Sequence, residues 1–143
     1  MRILLIGLQV FILLFLTFDI LYKFEQIGFS YDAVFTYLFG NEEAFIDGVP
    51  LSTLVELLHA DTFFAMMILL SLGSIYARLT GSTIRALVAV NVVMVTALLA
   101  LLSLFAALYI ADLFIWIWLA AFWFWHLSAA VMSVEVLWRL SRL

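Results

Sequence analysis

Four stretches of the chain are almost continuously apolar, from about Ile3 to Tyr22, Thr53 to Ala77, Ile84 to Ile110 and Leu113 to Leu137. Each has the roughly 20 residues that a helix needs to cross about 30 Å of hydrocarbon. The runs lack the alternation of lipid-facing and lumen-facing positions that a membrane barrel requires, so strands are not expected. The pattern predicts an all-α integral membrane protein: one domain over residues 1–143, with four transmembrane helices in an up-down bundle.

Between these runs, only the connection over residues 23–52 is long enough for extramembrane structure. Ser30 is placed to cap a short helix from Tyr31 to Phe39, which Gly40 stops. Tyr31, Val34, Phe35, Leu38 and Phe39 would give that helix a broad apolar side, suited to the outer interface of the membrane and to a partner. Gly48-Val49-Pro50 turns the chain back toward the bilayer, and Thr53-Leu54-Val55-Glu56 reads as a capping box opening the second span. The connection Leu79-Thr80-Gly81-Ser82-Thr83 holds a Gly for a helix C-cap and hydroxyls for the next N-cap, with room only to turn. Asp112 is positioned to cap the fourth span.

Composition agrees with the pattern: 69% of residues are hydrophobic and 11% charged, against about 25% charged in an ordinary soluble domain. Cysteine is absent, which excludes disulfides, thiol redox chemistry and thiolate-held clusters. The net charge is −4 and no basic patch is dense enough for nucleic acid, so no nucleic-acid partner is expected. The first run follows Arg2 and lacks a small-x-small cleavage site, which reads as a retained signal anchor. Arg2, Arg78, Arg85, Arg139 and Arg142 map to one side of the bilayer and Lys23 to the other. The positive-inside rule then places both termini in the cytoplasm, in a bacterial inner membrane, with an acidic outer face. Asp19, Glu56, Asp61 and Asp112 are among the acidic residues expected on or near that face.

Candidate chemistry is sparse. His126 falls near the middle of the fourth span, where an imidazole needs a hydrogen-bond partner on a neighbouring helix or a ligand such as haem iron or a quinone. His59 follows Glu56 at i+3, the half-motif of bundle di-iron sites, but a second half-motif is missing, and Glu56, His59 and Asp61 read as an interfacial polar cluster. A haem b held between His59 and His126 would have to bridge a height difference of about 9 Å. Phe122-Trp123-Phe124-Trp125 points around the whole fourth helix, so part of it must face lipid or another subunit. Gly73 with Ala77, and Ala129 with Ser133, have the spacing that lets helix backbones approach closely. Glu135 and Arg139 are spaced to pair along one helix face. Together these features predict a non-catalytic membrane subunit that binds or positions other membrane proteins, with Tyr31, Val34, Phe35, Leu38, Phe39, Trp123 and Trp125 as its contact surface. No cofactor is required; the alternative is a b-haem- or quinone-binding subunit of an electron-transfer complex using His126.

The orientation is directly testable. A C-terminal alkaline phosphatase fusion should be inactive, and external protease should cut the first connection in spheroplasts. An active fusion or a protected connection would reverse the assignment.

Overall fold

A computed structural model describes residues 2–81 and 83–142; Ser82, in the second connection, lies outside the described residues. The order of elements is α1 (Arg2–Gln26), α2 (Tyr31–Phe39), β1 (Gly40–Asn41), β2 (Ile46–Asp47), α3 (Leu51–Thr80), α4 (Ile84–Tyr109) and α5 (Phe114–Ser141). The two strands form a minimal antiparallel hairpin that pairs Gly40 with Asp47 and Asn41 with Ile46. Helices α1, α3, α4 and α5 are each long and apolar enough to span a membrane.

Helices α1, α3 and α5 run past the apolar stretches that announced them, whereas α4 stays within the expected Ile84–Ile110. A nucleated helix gains one hydrogen bond for each residue added, so it continues through polar positions at its ends. Hydrophobicity marks only the lipid-facing part. As a result α1 carries Lys23 as a helical residue, and the first connection is shorter than the expected 23–52.

Helix ends follow local chemistry, with two departures from expectation. Ser30 Oγ accepts from the Ala33 amide at 3.2 Å to open α2, and Thr83 Oγ1 accepts from the Ala86 amide at 3.3 Å to open α4. Gly40 and Gly81 terminate α2 and α3 with φ of +82° and +74°, where a side chain is disfavoured. At Gly40 a Cβ would also lie 2.5 Å from the Ile46 carbonyl oxygen, so the hairpin closes only around glycine. The capping box is not formed: Pro50 occupies the N-cap of α3 without a side-chain bond, which leaves Glu56 too far along the helix to reach the free amides. Asp112 does not cap α5 either, because the helix starts after Leu113 and the Asp112 carboxylate is engaged elsewhere.

Helix α5 is the hub of the bundle. It packs against α4, α1 and α3 and carries the largest set of buried side chains. Helix α1 runs antiparallel to it, with Arg2 donating to the Ser141 carbonyl at 3.1 Å at one end. Helices α3 and α4 approach at Gly73, where an added Cβ would lie 3.4 Å from Val90 Cγ1. Between helices in lipid the attraction comes from packing and interhelical hydrogen bonds rather than from escape from water. The buried apolar side chains form two clusters. One, toward the chain termini, contains Ile12, Leu16, Leu72, Val93, Ala129 and Val136; the other, toward α2, contains Val34, Leu38, Leu54, Leu104, Ile115 and Trp118.

Helix α2 belongs to that second cluster. Val34 and Leu38 are buried against the chain's own bundle, which removes them from the expected partner surface and leaves Phe35 and Phe39 exposed. The Tyr31 ring stacks on Trp116 at 5.3 Å, and its hydroxyl donates to Asp112 Oδ2 at 2.7 Å. The Val49 amide donates to the Tyr37 carbonyl at 2.8 Å and holds the returning chain against the helix.

The hydrogen bond to Asp112, with lesser help from desolvation and the nearby carboxylate charges, raises the Tyr31 phenol above its ordinary value. A raised acid stabilises the fold while it is protonated, so the anchor is intact below the ordinary tyrosine pKa of about 10 and is lost as pH rises through the higher folded value. Amide exchange in α2, measured across alkaline pH, should accelerate as the phenol ionises. Tyr31→Phe should remove that step and exchange faster at neutral pH.

Candidate functional site

Asp19 and Lys23 lie one turn apart on the same face of α1. The Lys23 ammonium is 2% exposed and donates to both carboxylate oxygens of Asp61 on α3, at 2.9 and 2.7 Å. On α5, His126 Nε2 stands 2.9 Å from Asp19 Oδ2, while Nδ1 stands 2.8 Å from the carbonyl oxygen of Phe122. Three of the four spanning helices thus meet through one layer of ionisable groups. The layer lies between the two apolar clusters: Ala97 and Trp125 of one, and Leu104, Trp118 and Phe122 of the other, line the same small cavity as Asp19, Lys23 and Asp61.

The hydrogen bonds of His126 determine its proton count. A carbonyl oxygen can only accept, so Nδ1 must carry a hydrogen and donate to Phe122. The bond between Nε2 and Asp19 then needs a further proton between them. Either the imidazole is charged and donates to a carboxylate, or the neutral ring accepts from a carboxylic acid. Both descriptions place one proton in the pair, and the layer as a whole is then neutral, with Lys23 balanced by Asp61. Neutrality is the condition under which such groups are tolerated away from water.

The cavity beside the layer has a volume of about 30 Å³, enough for a water molecule among Asp19, Lys23 and Asp61. Helix α4 contributes Ala97, Ala100, Leu101 and Leu104 to it, and no titratable group. The Phe122 and Trp125 rings flank the imidazole at centroid distances of 4.0 and 5.2 Å. On its other side the layer borders a groove of about 460 Å³ between α1 and α3, which Asp19 and Asp61 also line. Phe15 and Phe64 touch across this groove at 4.8 Å, and Gln26, Tyr37, Thr53 and Glu56 lead from it toward α2.

The structure sorts the expected site residues differently from their order in the sequence. His126 is buried in the layer, whereas His59 is exposed on α3, and the two histidines do not face a common space. Glu56, His59 and Asp61 do not gather as a cluster; Glu56 and Asp61 line the groove and Asp61 turns inward to Lys23. Among the described residues no group of three or more His, Asp or Glu side chains is arranged to hold a metal ion. Trp125 is buried and Trp123 is half exposed. Asp19 and Lys23 are the functional candidates that sequence reasoning missed, having assigned them to the outer face, and Asp61 is one it grouped with Glu56 and His59 instead of with Lys23. The available signal was the i, i+4 spacing of Asp19 and Lys23, which puts both on whichever face of α1 is buried.

A second polar set lies toward the termini. Tyr76 donates to Glu135 Oε2 at 2.8 Å, and Arg139 pairs with Glu135 Oε1 at 2.7 Å, as the i, i+4 spacing predicts. Between the two sets the α1–α5 contact is apolar apart from buried Gln9 and Ser133.

Breaking one side of a buried ion pair strands the other charge, at about 3–5 kcal/mol, whereas apolar replacement of both partners is often close to neutral. Lys23→Met and Asp61→Leu should therefore each destabilise the bundle strongly, and the double variant should recover most of the loss. Steric-trap unfolding in bicelles measures all three. Additive losses would show that the pair does not couple α1 to α3.

No curated protein and no solved structure is matched by the chain. A family described as a transmembrane helical domain, Aq_1264_TM, matches residues 28–143, which takes in α2 through α5, and so Asp61 and His126, and begins after α1. The four apolar helices of the bundle agree with that description, and the chain belongs to this family of transmembrane helical domains.

Proposed function

We propose that this chain is a proton-binding membrane subunit, in which the Asp19–His126 pair takes up and releases one proton through the groove between α1 and α3. The observation that carries this reading is the pair of hydrogen bonds on His126, which leaves a single proton shared between an imidazole and a carboxylate inside a helical bundle. Ionisable groups in such positions commonly form proton relays or ion pathways. Loss of the proton leaves the layer of Asp19, Lys23, Asp61 and His126 with one uncompensated negative charge. Separation of α1 from α5, which lets water reach that charge, then becomes less costly. Proton release and loosening of α1 favour each other by linkage.

In this reading the α2 end faces outward and both termini lie in the cytoplasm of a bacterial inner membrane. The arginines at the terminal end support that orientation, and α2 then lies at the outer interface beside Trp116. The groove gives the layer its access to the outer side. A second role, positioning other membrane proteins, is supported by exposed aromatic rings at Phe35 and Phe39 on α2 and at Phe124 on α5, beside half-exposed Trp123. Both roles fit one subunit of a larger complex. A haem b would have to displace Asp19 from His126 Nε2, so the redox alternative is the weaker reading.

Histidine-selective ¹⁵N NMR in lipid nanodiscs tests the proposal, with exposed His59 as an internal reference. His126 should show a reversible change of protonation or hydrogen-bond state as pH is varied over the range in which the fold persists. That change should be altered by Asp19→Asn while His59 is unaffected. A His126 signal that is indifferent both to pH and to Asp19→Asn would overturn the reading.

A further inference from the structure

We infer that the groove between α1 and α3 binds a lipophilic organic cation, whose charge substitutes at Asp19 for the proton shared with His126. The inference rests on the proton reading above, because the charge it answers is the one that proton release uncovers.

The walls of the groove are aromatic. Phe15, Phe18, Tyr22, Tyr37 and Phe64 all line it, and Phe18 remains 63% exposed in this chain. Ring faces attract cations through their quadrupole, most strongly where water is excluded. A volume of about 460 Å³ falls within the usual range for a small-molecule site, roughly 300–1,000 Å³.

Charge selects the occupant. Asp19, Glu56 and Asp61 line the groove, and no Lys, Arg or His lines it. Lys23 stands behind, committed to both oxygens of Asp61. Asp19 uses Oδ2 for His126, and Glu56 has no ion-pair partner among the described residues. An anion would meet Glu56, which no cation answers among the described residues, and the Asp19 carboxylate once its proton has left. A neutral apolar molecule would strip them of water without replacing it. A zwitterionic phospholipid brings a phosphate beside its ammonium and meets the same repulsion. A metal ion finds aromatic walls where it needs a ring of oxygen ligands. A single positive charge on an apolar or aromatic body satisfies both the walls and the carboxylates.

The exchange balances. On binding, the proton held between Asp19 and His126 leaves to water, His126 keeps the hydrogen on Nδ1, and the ligand cation restores neutrality to the layer.

The test uses the full chain in phosphatidylcholine nanodiscs and tetraphenylphosphonium as the probe, followed by calorimetry against empty nanodiscs. Tetraphenylborate, of similar size and opposite charge, and a short-chain phosphatidylethanolamine are the comparison arms. Saturable binding of the phosphonium at one site per chain, weakening as pH falls and at least tenfold weaker in Asp19→Asn, is expected. Phe18→Ala, at an exposed position that leaves the packing intact, should weaken binding about three- to tenfold and guards against a misfolded Asp19 variant. Equal binding of the borate, preferential binding of the phosphatidylethanolamine, or indifference to both substitutions would overturn the site. If His126 responds to pH and the phosphonium does not bind, the cation site fails and the proton reading stands. Binding that is lost in both variants but independent of pH would support the groove as a cation site and overturn exchange with a proton.

Discussion

Two carboxylates, an ammonium and an imidazole are held in the interior of an apolar bundle, and the rest of the architecture follows from the need to keep them neutral. Lys23 cannot be left without Asp61, nor Asp19 without His126, because an unanswered charge away from water costs several kcal/mol. Those two requirements fix how α1 sits. Its rotation is set by the face that carries Asp19 and Lys23, and its height by the partners on α3 and α5. Apolar contacts between helices in lipid are permissive about register. Charge pairs are not, and here they align three helices at one level.

Around that level the bundle is built in two apolar halves. The half toward the termini closes with small residues, Ala129, Ser133 and Gly73, which let α1 and α4 come near α5 and α3. The half toward α2 closes with large ones, Trp118, Phe122 and Ile115, and uses α2 as its cover. Tyr31, stacked on Trp116 and bonded to Asp112, and the glycine-dependent turn at Gly40 hold that cover in place. The first connection is therefore part of the core, although it lies outside the spans. The family match runs from this connection to the end of α5 and leaves out α1, the helix that supplies Asp19 and Lys23. Half of the charge layer thus comes from the element that lies outside the matched region.

The site combines features that are chemically complementary. In the proposed function the Asp19–His126 pair is the site of the exchangeable charge, and the neighbouring groove, which Asp19 also lines, is its route to the outside of the bundle. The aromatic flanks of the imidazole exclude bulk water, while the small cavity among Asp19, Lys23 and Asp61 has room for an individual molecule. Toward the termini, Ile12, Leu16, Ala129 and Met132 lie between the layer and the Tyr76–Glu135–Arg139 set, whose Glu135 is about 13 Å from His126 along α5. The groove thus borders the layer on one side, and on the other the α1–α5 contact is apolar apart from buried Gln9 and Ser133.

Sequence alone determined the four spans, the short helix with its Ser30 and Gly40 boundaries, the Gly81 and Thr83 turn chemistry and the Glu135–Arg139 pair. Each depends on residues close together in the chain, and hydrophobicity, capping and i, i+4 spacing are local properties. It could also single out His126, because one imidazole in a long apolar run is conspicuous without any knowledge of its neighbours. Tertiary structure decided which groups answer it. Lys23 and Asp19 lie where the first apolar run fades, so the sequence placed Lys23 in the connection and Asp19 at or near the outer face, and Asp61 lies beside Glu56 and His59, so it looked interfacial. Nor could the pattern tell the buried face of Val34 and Leu38 from the exposed face of Phe35 and Phe39, because apolar residues suit both lipid and core. Facing relations between helices are set by the sum of contacts over the whole bundle. In a chain apolar on nearly every side, only the few charged residues carry that information, and they carry it in pairs that form when the helices assemble.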